Sequence, residues 1–263
     1  MPIEFAKYEG LGNDFVVVEG VEMSAARAQL LCDRHRGVGA DGVLVIDDSP
    51  SMVVWNADGS HAEMCGNGLR CVAWHLARLR DVQEATWTTG AGPHHVVVHG
   101  DEDIEVLMAV PSFSPKDVPF QGEKPHINAP LVVEAGSFEL TAVGMGNPHA
   151  LLFDQGTQRM SAGPSVQASS FFPQGVNVGF AESGEDGFTL HVLERGAGWT
   201  MACGTGACAC GAAAVRTGRW ERGKPMQVRL PGGALTITVR GEDDPVSMRG
   251  PARHVFDGVF SSF

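Results

Sequence analysis

The stretch Cys65-Gly-Asn-Gly-Leu-Arg-Cys71 has a counterpart far along the chain in Cys203-Gly-Thr-Gly206. Each sets a cysteine directly before a Gly-x-Gly that opens a helix-like run. The first run, Gly66 to Arg80, places Leu69, Val72, Ala73, Leu76 and Leu79 on one helical face; the second, Gly204 to Arg216, is Ala-rich and closes before Gly218, a C′ residue. Another pair of motifs keeps step with this one. Gly10-Leu-Gly-Asn13 recurs as Gly144-Met-Gly-Asn147, followed by the apolar runs Phe15 to Val18 and Ala150 to Phe153, and the interval from asparagine to cysteine is nearly the same in both copies. One match would be unremarkable in a chain with 34 glycines. Two in the same order at matching spacing indicate a duplicated α+β fold of two similar halves, not a solenoid.

Working outward, strands are predicted over Gly42 to Asp47, Met52 to Trp55, His95 to His99, Ile104 to Val110, Phe138 to Val143, Val176 to Ala181, Phe188 to Leu193 and Leu235 to Val239. Leu230-Pro-Gly-Gly-Ala reads as a hairpin turn before the last of these. Pro111, Pro115, Pro119, Pro125 and Pro130 mark a linker, which puts a domain boundary near residue 112, and the final strand, Val255 to Phe260, is read as returning to the first half.

The chain's 263 residues are 43% hydrophobic and 19% charged, enough apolar mass for one large domain or two modest ones. Lys+Arg of 19 against Asp+Glu of 31 gives a net charge of -12, which repels a phosphate backbone, so no nucleic-acid partner is expected. Apolar runs are strand-sized, and the start, with Glu4 and Glu9, has no basic region leading into an apolar one. No membrane span or secretion signal is expected, and the protein is read as cytoplasmic. In such a compartment the six cysteines are thiols, not a disulfide framework.

A cysteine at a helix start sits beside unpaired backbone N–H groups and the positive end of the helix dipole, which stabilise a thiolate and also attract a carboxylate. Two such cysteines from facing halves suit stereochemical inversion: one thiolate removes an α-proton from one face while the opposite thiol delivers a proton to the other. Cys32, Cys71, Cys208 and Cys210 are read as small core hydrophobes. The spacing of Cys203, Cys208 and Cys210 does not match structural zinc, so no metal is expected. None of Lys7, Lys116, Lys124 and Lys224 lies beside a glycine-rich motif, which disfavours pyridoxal phosphate, and the dinucleotide and P-loop fingerprints are missing; no cofactor is expected. His94, His95 and His99 are assigned to a solvated strand face, and His149, after Asn147-Pro148, to support of neighbouring site residues. Asn13, Asn56, Asn147 and Asn177 border apolar runs where an amide needs a partner, and Glu194-Arg195 could hold an amino-acid head, Arg195 its carboxylate and Glu194 its ammonium. The residues themselves reach as far as an acidic, amino-acid-like small molecule.

The ordered series Gly10 to Phe15, Asn56-Ala-Asp-Gly-Ser60, Cys65 to Cys71, Gly146-Asn-Pro-His149, Gly175-Val-Asn-Val178, Glu194-Arg195 and Ala202 to Gly206 resembles the motif series of the diaminopimelate epimerases. The resemblance implies a cofactor-independent epimerase interconverting LL- and meso-2,6-diaminoheptanedioate, in bacterial lysine and peptidoglycan precursor biosynthesis. It implies Cys65 and Cys203 as the acid/base pair, with Gly66, Asn67, Gly204 and Thr205 binding the carboxylate at the reacting centre through backbone N–H groups. It implies that Asn13, Asn56, Asn147, Asn177, Glu194 and Arg195 read the distal L-centre. The fold implied is α+β, two pseudo-symmetric domains, each a curved mostly antiparallel sheet around a central helix, with the active site in the cleft between them and a homodimer as the assembly. The halves would comprise 1–112 plus 251–263, carrying Cys65, and 113–250, carrying Cys203. One position departs from the pattern: many members carry Gln where this chain has Gly42.

Proline and hydroxyproline racemases use the same paired-thiol logic on a substrate with one carboxylate, so Glu194-Arg195 is the discriminating feature. Phenazine-type isomerases share the architecture without the thiol pair. A thiol redox or ligand-binding protein would use Cys65 and Cys203 as a sensor and turn nothing over.

Overall fold

Leu11 and Gly12 both take positive φ, 57° and 78°, as a two-residue hairpin of the I′ kind requires. The chain therefore doubles back at once, β1 (Ile3–Gly10) pairing antiparallel with β2 (Asn13–Glu19) and Gly10 lying opposite Asn13. Helix α1 (Ala25–Cys32), N-capped by the Ser24 hydroxyl, carries the chain to β3 (Gly42–Ile46), parallel to β2. Antiparallel strands β4 (Met52–Asn56) and β5 (His61–Ala62) follow, then the long helix α2 (Gly66–Arg80) and the antiparallel run β6 (Glu84–Thr89), β7 (Gly92–Gly100) and β8 (Asp103–Leu107).

The same order then repeats. After β9 (Ala129–Val133), strands β10 (Gly136–Gly144) and β11 (Pro148–Phe153) form a hairpin around Gly146, whose φ is 84°. Helix α3 (Arg159–Gln167) crosses over to β12 (Asn177–Gly184), parallel to β11, and β13 (Gly187–Glu194) and β14 (Gly198–Trp199) add antiparallel strands. Helix α4 (Gly204–Arg216) takes the place of α2, and β15 (Met226–Leu230), β16 (Gly233–Thr238) and β17 (Ser247–Gly250) follow it. Strand β18 (Arg253–Phe260) closes the chain by pairing antiparallel with β1.

This computed structural model describes residues 2–100 and 102–261. Contacts divide the chain into two units, Met1–Leu107 with Arg249–Phe263, and Met108–Met248. In the first, the main sheet runs β18-β1-β2-β3-β4-β5; in the second, the order is β16-β15-β13-β12-β11-β10-β9. Within each unit the described strand pairings are antiparallel except β2–β3, β11–β12 and β13–β15. The architecture is thus the expected mostly antiparallel α+β duplication with one long helix per half. No described helix is long and apolar enough to cross a membrane.

Both long helices keep the limits read from the sequence because their stop signals are local. Helix α2 ends where Asp81 turns left-handed at φ 55°, with Arg78 and Arg80 in the last turn complementing the dipole. Helix α4 ends at Thr217, whose hydroxyl bonds the Ala213 carbonyl at 2.8 Å, followed by Gly218 at φ 72°. Three other expectations need correction. Leu79 is 55% exposed, because α2 is packed on most sides from Gly66 to Ala77 and its last turn runs past the strands that cover it. The proline-rich segment is more than a linker: Val118 and Phe120 are buried in the second core with Phe138, Leu140, Leu152 and Phe180, while Gln121 to Pro125 stay exposed. His94 is buried on the inner face of β7, its Nδ1 bonded to the Leu107 carbonyl at 3.1 Å, where the alternation of the strand points it with Val96 and Val98. A fully buried side chain such as Phe180 contributes about 1.5–3 kcal/mol.

Candidate active site

Cys65 and Cys203 occupy the same position in their repeats, the N-cap of the long helix, with nearly the same backbone, φ -138° and ψ 108° against φ -132° and ψ 101°. Each carbonyl accepts the first helical bond, from Leu69 at 2.8 Å and from Ala207 at 2.9 Å. The next N–H groups, of Gly66 and Asn67 and of Gly204 and Thr205, have no acceptor inside a helix and are available to an anion. The second glycine of each motif brings the helix down onto a strand. A Cβ on Gly68 would lie 2.9 Å from Leu44, and one on Gly206 would lie 3.1 Å from both Val192 and the Cys203 sulfur. These glycines are therefore packing requirements that also set the depth of each thiol.

The two thiols differ in setting. Cys65 is half-buried and its sulfur accepts from the Gly68 N–H at 3.4 Å. Cys203 is 4% exposed, with the Thr205 hydroxyl 3.7 Å away. Burial pushes the Cys203 thiol well above its ordinary range and the Glu194 carboxylate adds to this, against hydrogen bonds from Thr205 and Gly206. In this state Cys203 is a protonated thiol. Cys32, Cys71, Cys208 and Cys210 are buried in the cores, and burial raises the Cys32 thiol to about 11.

In the first unit Asn13 and Asn67 come together, Asn67 Nδ2 donating to Asn13 Oδ1 at 3.4 Å. Asn13 Nδ2 donates to Asp41 at 2.9 Å, and Asp41 and Asp14 share the Arg34 guanidinium, with Lys7 bonding Asp14 and the Gly39 carbonyl. Burial alone would raise the Asp14 carboxyl, but hydrogen bonds from Arg34 and Lys7 outweigh it and hold the group far below the usual carboxylate range. Asn56 stands apart from this network in a turn, its Nδ2 on the Ser60 hydroxyl at 2.9 Å. Gly42 pairs with Asn56 across β3 and β4, and a Cβ there would sit 2.8 Å from the Trp55 carbonyl, so this backbone has no room for the glutamine carried by many relatives. Arg70, fully buried, and Asp41, exposed just before β3, were not singled out from the sequence, although both lie inside glycine-rich motifs; Arg70 carried a signal, a charge where the helix pattern demands burial, and Asp41 carried none.

In the second unit a chain of hydrogen bonds leads toward the thiol. His149 Nε2 donates to Asn147 Oδ1 at 2.9 Å, and Asn147 Nδ2 donates to the Thr205 hydroxyl at 3.3 Å. Asn177, buried, spends its amide on the backbone, donating to the Pro148 carbonyl at 3.0 Å and accepting the Arg195 N–H at 2.9 Å. That bond anchors the Glu194-Arg195 pair. Glu194 accepts from the Thr200 hydroxyl at 2.6 Å, and Arg195 donates to the Gln174 carbonyl at 2.5 Å. Gly175, at φ 73°, makes room for the Arg195 stem, since a Cβ there would lie 2.8 Å from Arg195 Cδ.

Burial brings the pKa of His149 down to about 3, with the Arg195 charge acting in the same direction, so the ring is neutral. An unfolded histidine titrates near ~6.5, so the folded protein gains stability from His149 above that pH and loses it as pH falls toward the depressed value. The melting temperature of the wild type is expected to fall more between pH 7 and pH 4 than that of His149→Gln, which keeps a donor for Asn147. Parallel curves in differential scanning calorimetry would show that His149 does not carry this dependence.

A family model described as diaminopimelate epimerase matches residues 5–114 and 141–255, segments that contain both thiols and every residue of the two networks named from the sequence. The chain belongs to the diaminopimelate epimerase family. A diaminopimelate epimerase of Stutzerimonas stutzeri (strain A1501) is 40% identical over 274 residues, covering 98% of this chain and 99% of its own. One of Synechocystis sp. is 40% identical over 278 residues at the same coverage. Among solved structures, a hydroxyproline epimerase from Agrobacterium vitis shares 17% identity at a TM-score of 0.70, over 98% of this chain and 92% of that one. A phenazine biosynthesis family protein of Bacillus anthracis shares 15% at a TM-score of 0.70, with full coverage of both. At these identities the structures bear on fold alone. The resemblance of the motif series to the diaminopimelate epimerases holds across the family model, and the isomerase class holds with it.

Proposed function

We propose that this chain interconverts LL- and meso-2,6-diaminoheptanedioate without a cofactor, Cys65 and Cys203 serving as the two acid/base groups. The observation that carries the reading is the repeated N-cap: two thiols in one backbone conformation, each beside N–H groups able to hold a carboxylate. The reaction needs a base on one face of the α-carbon and an acid on the other. Cys203, held as a thiol by its burial, supplies the acid in one direction, and the proton it gives is returned on the reverse pass. Backbone N–H groups of Gly66, Asn67, Gly204 and Thr205 stabilise the enolate-like charge that develops on the proximal carboxylate. His149, through Asn147, orients the Thr205 hydroxyl at the Cys203 sulfur.

The distal amino-acid head is read by Arg195 on its carboxylate and Glu194 on its ammonium, with Asn13, Asn56, Asn147 and Asn177 completing or anchoring that contact. We take the enzyme to be cytoplasmic, in lysine and peptidoglycan precursor biosynthesis, and to pair with a second copy. In support of pairing, β18 is an edge strand of its sheet with Val255, Phe256 and Val259 exposed at 53%, 44% and 59%.

Proton NMR of LL-diaminopimelate with the reduced protein in D2O tests the reading. Loss of the α-proton signal with growth of the meso isomer is the expected result. Turnover of proline in place of diaminopimelate would move the assignment to a racemase of singly carboxylated amino acids, and inertness toward both would leave a binding protein.

A further inference from the structure

Arg70 lies on α2, fully buried, and its guanidinium can only donate hydrogen bonds. Nη2 donates to Asn67 Oδ1 at 3.0 Å, Nε to the Pro251 carbonyl at 3.1 Å and Nη1 to the Gly66 carbonyl at 3.4 Å. With its oxygen taken by Arg70, Asn67 turns Nδ2 to Asn13 Oδ1 at 3.4 Å, and Asn13 in turn directs Nδ2 at Asp41 Oδ2, 2.9 Å away. Asp41 is the opposite kind of terminus. Its carboxylate accepts from Asn13, from the Asp14 N–H at 3.1 Å and from Arg34 Nη2 at 2.9 Å.

A donor-only group at one end and an acceptor-only group at the other leave a single orientation for both amides. Turning either one over would set two donors against each other at one contact and two acceptors at the next, each an unmade bond in a partly buried place. The equivalent asparagine of the second unit has no such termini: Asn147 lies between the His149 ring and the Thr205 hydroxyl, both of which can exchange donor and acceptor roles. The polarity lock is therefore particular to the Cys65 half.

We propose that Arg70 and Asp41 are positioning residues that fix the polarity of the Asn67–Asn13 pair, so that Asn13 meets the substrate as an N–H donor to a carboxylate oxygen and not as an acceptor for an ammonium group. The proposal rests on the reading of Asn13 as a substrate contact. Asn13 spends one N–H on Asp41 and keeps the other, and it is half-buried, within reach of a ligand. A merely structural Arg70 would tie helix to backbone equally well with the amides in either orientation; the matched termini are what a fixed donor needs.

Asp41 is exposed, so Asp41→Asn tests the lock without loading the core. Asparagine can donate as well as accept, so turning Asn13 over then costs one unmade bond, at Asn67, in place of two, and an amide N–H facing Asn13 Nδ2 favours the turn. The KM for LL-diaminopimelate is expected to rise roughly tenfold or more, the loss of one hydrogen bond to a charged group, with kcat within about threefold of wild type. The same substitution in an Asn13→Ala background is expected to have no further effect on KM, because the path through Asn13 is gone. Arg70→Lys, still donor-only, should retain more of the wild-type KM than Arg70→Met. Equal loss in kcat and KM, or an undiminished Asp41→Asn effect in the Asn13→Ala background, would overturn the proposal.

A substrate-free readout separates this failure from failure of the proposed function. In the 15N-labelled unliganded protein, exchange with D2O of the Asn67 side-chain N–H bonded to Asn13 and of the Asn13 N–H bonded to Asp41 is expected to be slow and to quicken about tenfold in Asp41→Asn. Fast exchange in the wild type, or an unchanged rate in the variant, defeats the lock whether or not diaminopimelate is turned over.

Discussion

Replacing Cys65 or Cys203 by serine is expected to slow interconversion of LL- and meso-diaminopimelate by roughly 10²–10⁴-fold, the usual contribution of a positioned acid or base. Serine keeps the shape of the side chain and the N-cap, but its hydroxyl is too weak an acid to act as an anionic base near neutral pH. The two variants should also differ from each other. With one thiol left, only the face it addresses can lose its α-proton, so each variant should wash deuterium into one isomer, and not the same one, while producing little of the other. Proton NMR in D2O reads both quantities in one experiment, and circular dichroism checks that the fold is intact. Full activity in either variant would sink the two-thiol mechanism, and exchange into both isomers by a single variant would mean that one group serves both faces.

Arg195→Ala should cost about 10²–10³-fold in kcat/KM for diaminopimelate, the scale on which removing one member of a hydrogen-bonded charge pair usually falls. The guanidinium is placed from three directions: Asn177 holds its backbone N–H, the Gln174 carbonyl takes one N–H of the guanidinium, and Gly175 leaves space for its methylenes. Those contacts fix where a distal carboxylate would be met, so the loss should fall on recognition and leave the thiol chemistry in place. Kinetics on diaminopimelate and on an amino acid with a single carboxylate compare the two. If the preference for diaminopimelate survives the substitution, the distal carboxylate is held elsewhere.

The parts of this fold that could be read in advance are those with local causes. Helices α2 and α4 begin at a cysteine before Gly-x-Gly and stop at a left-handed residue or a glycine, signals contained within a few positions. The hairpin at Leu230 to Ala234 was legible for the same reason. The return of the last strand to the first half, read from its place at the end of the chain, is realised as the pairing of β18 with β1. Helices α1 and α3 were not read. The first is only eight residues long, and the second carries Gly163 and Pro164 and no side-chain cap, so each is held by packing more than by propensity. The burial of Val118 and Phe120 beside Pro119, and of His94 on its strand, escaped because burial is decided by what lies opposite, which a single segment does not reveal.

For the site the division is the same. Residue type and spacing alone determined the duplication and the two thiols at helix starts, and singled out the asparagine series and the Glu194-Arg195 pair as candidate contacts, because helix termini and glycine turns impose their chemistry locally. Only the tertiary structure decided which thiol is the more deeply buried, that Asn177 spends its amide holding Arg195, that Gly42 leaves no room for a side chain, and that Arg70 and Asp41 end a chain of amides at Asn13. Those facts depend on partners dozens of residues away in sequence, and a hydrogen bond or a desolvation cost exists only once folding has brought both groups to the same place.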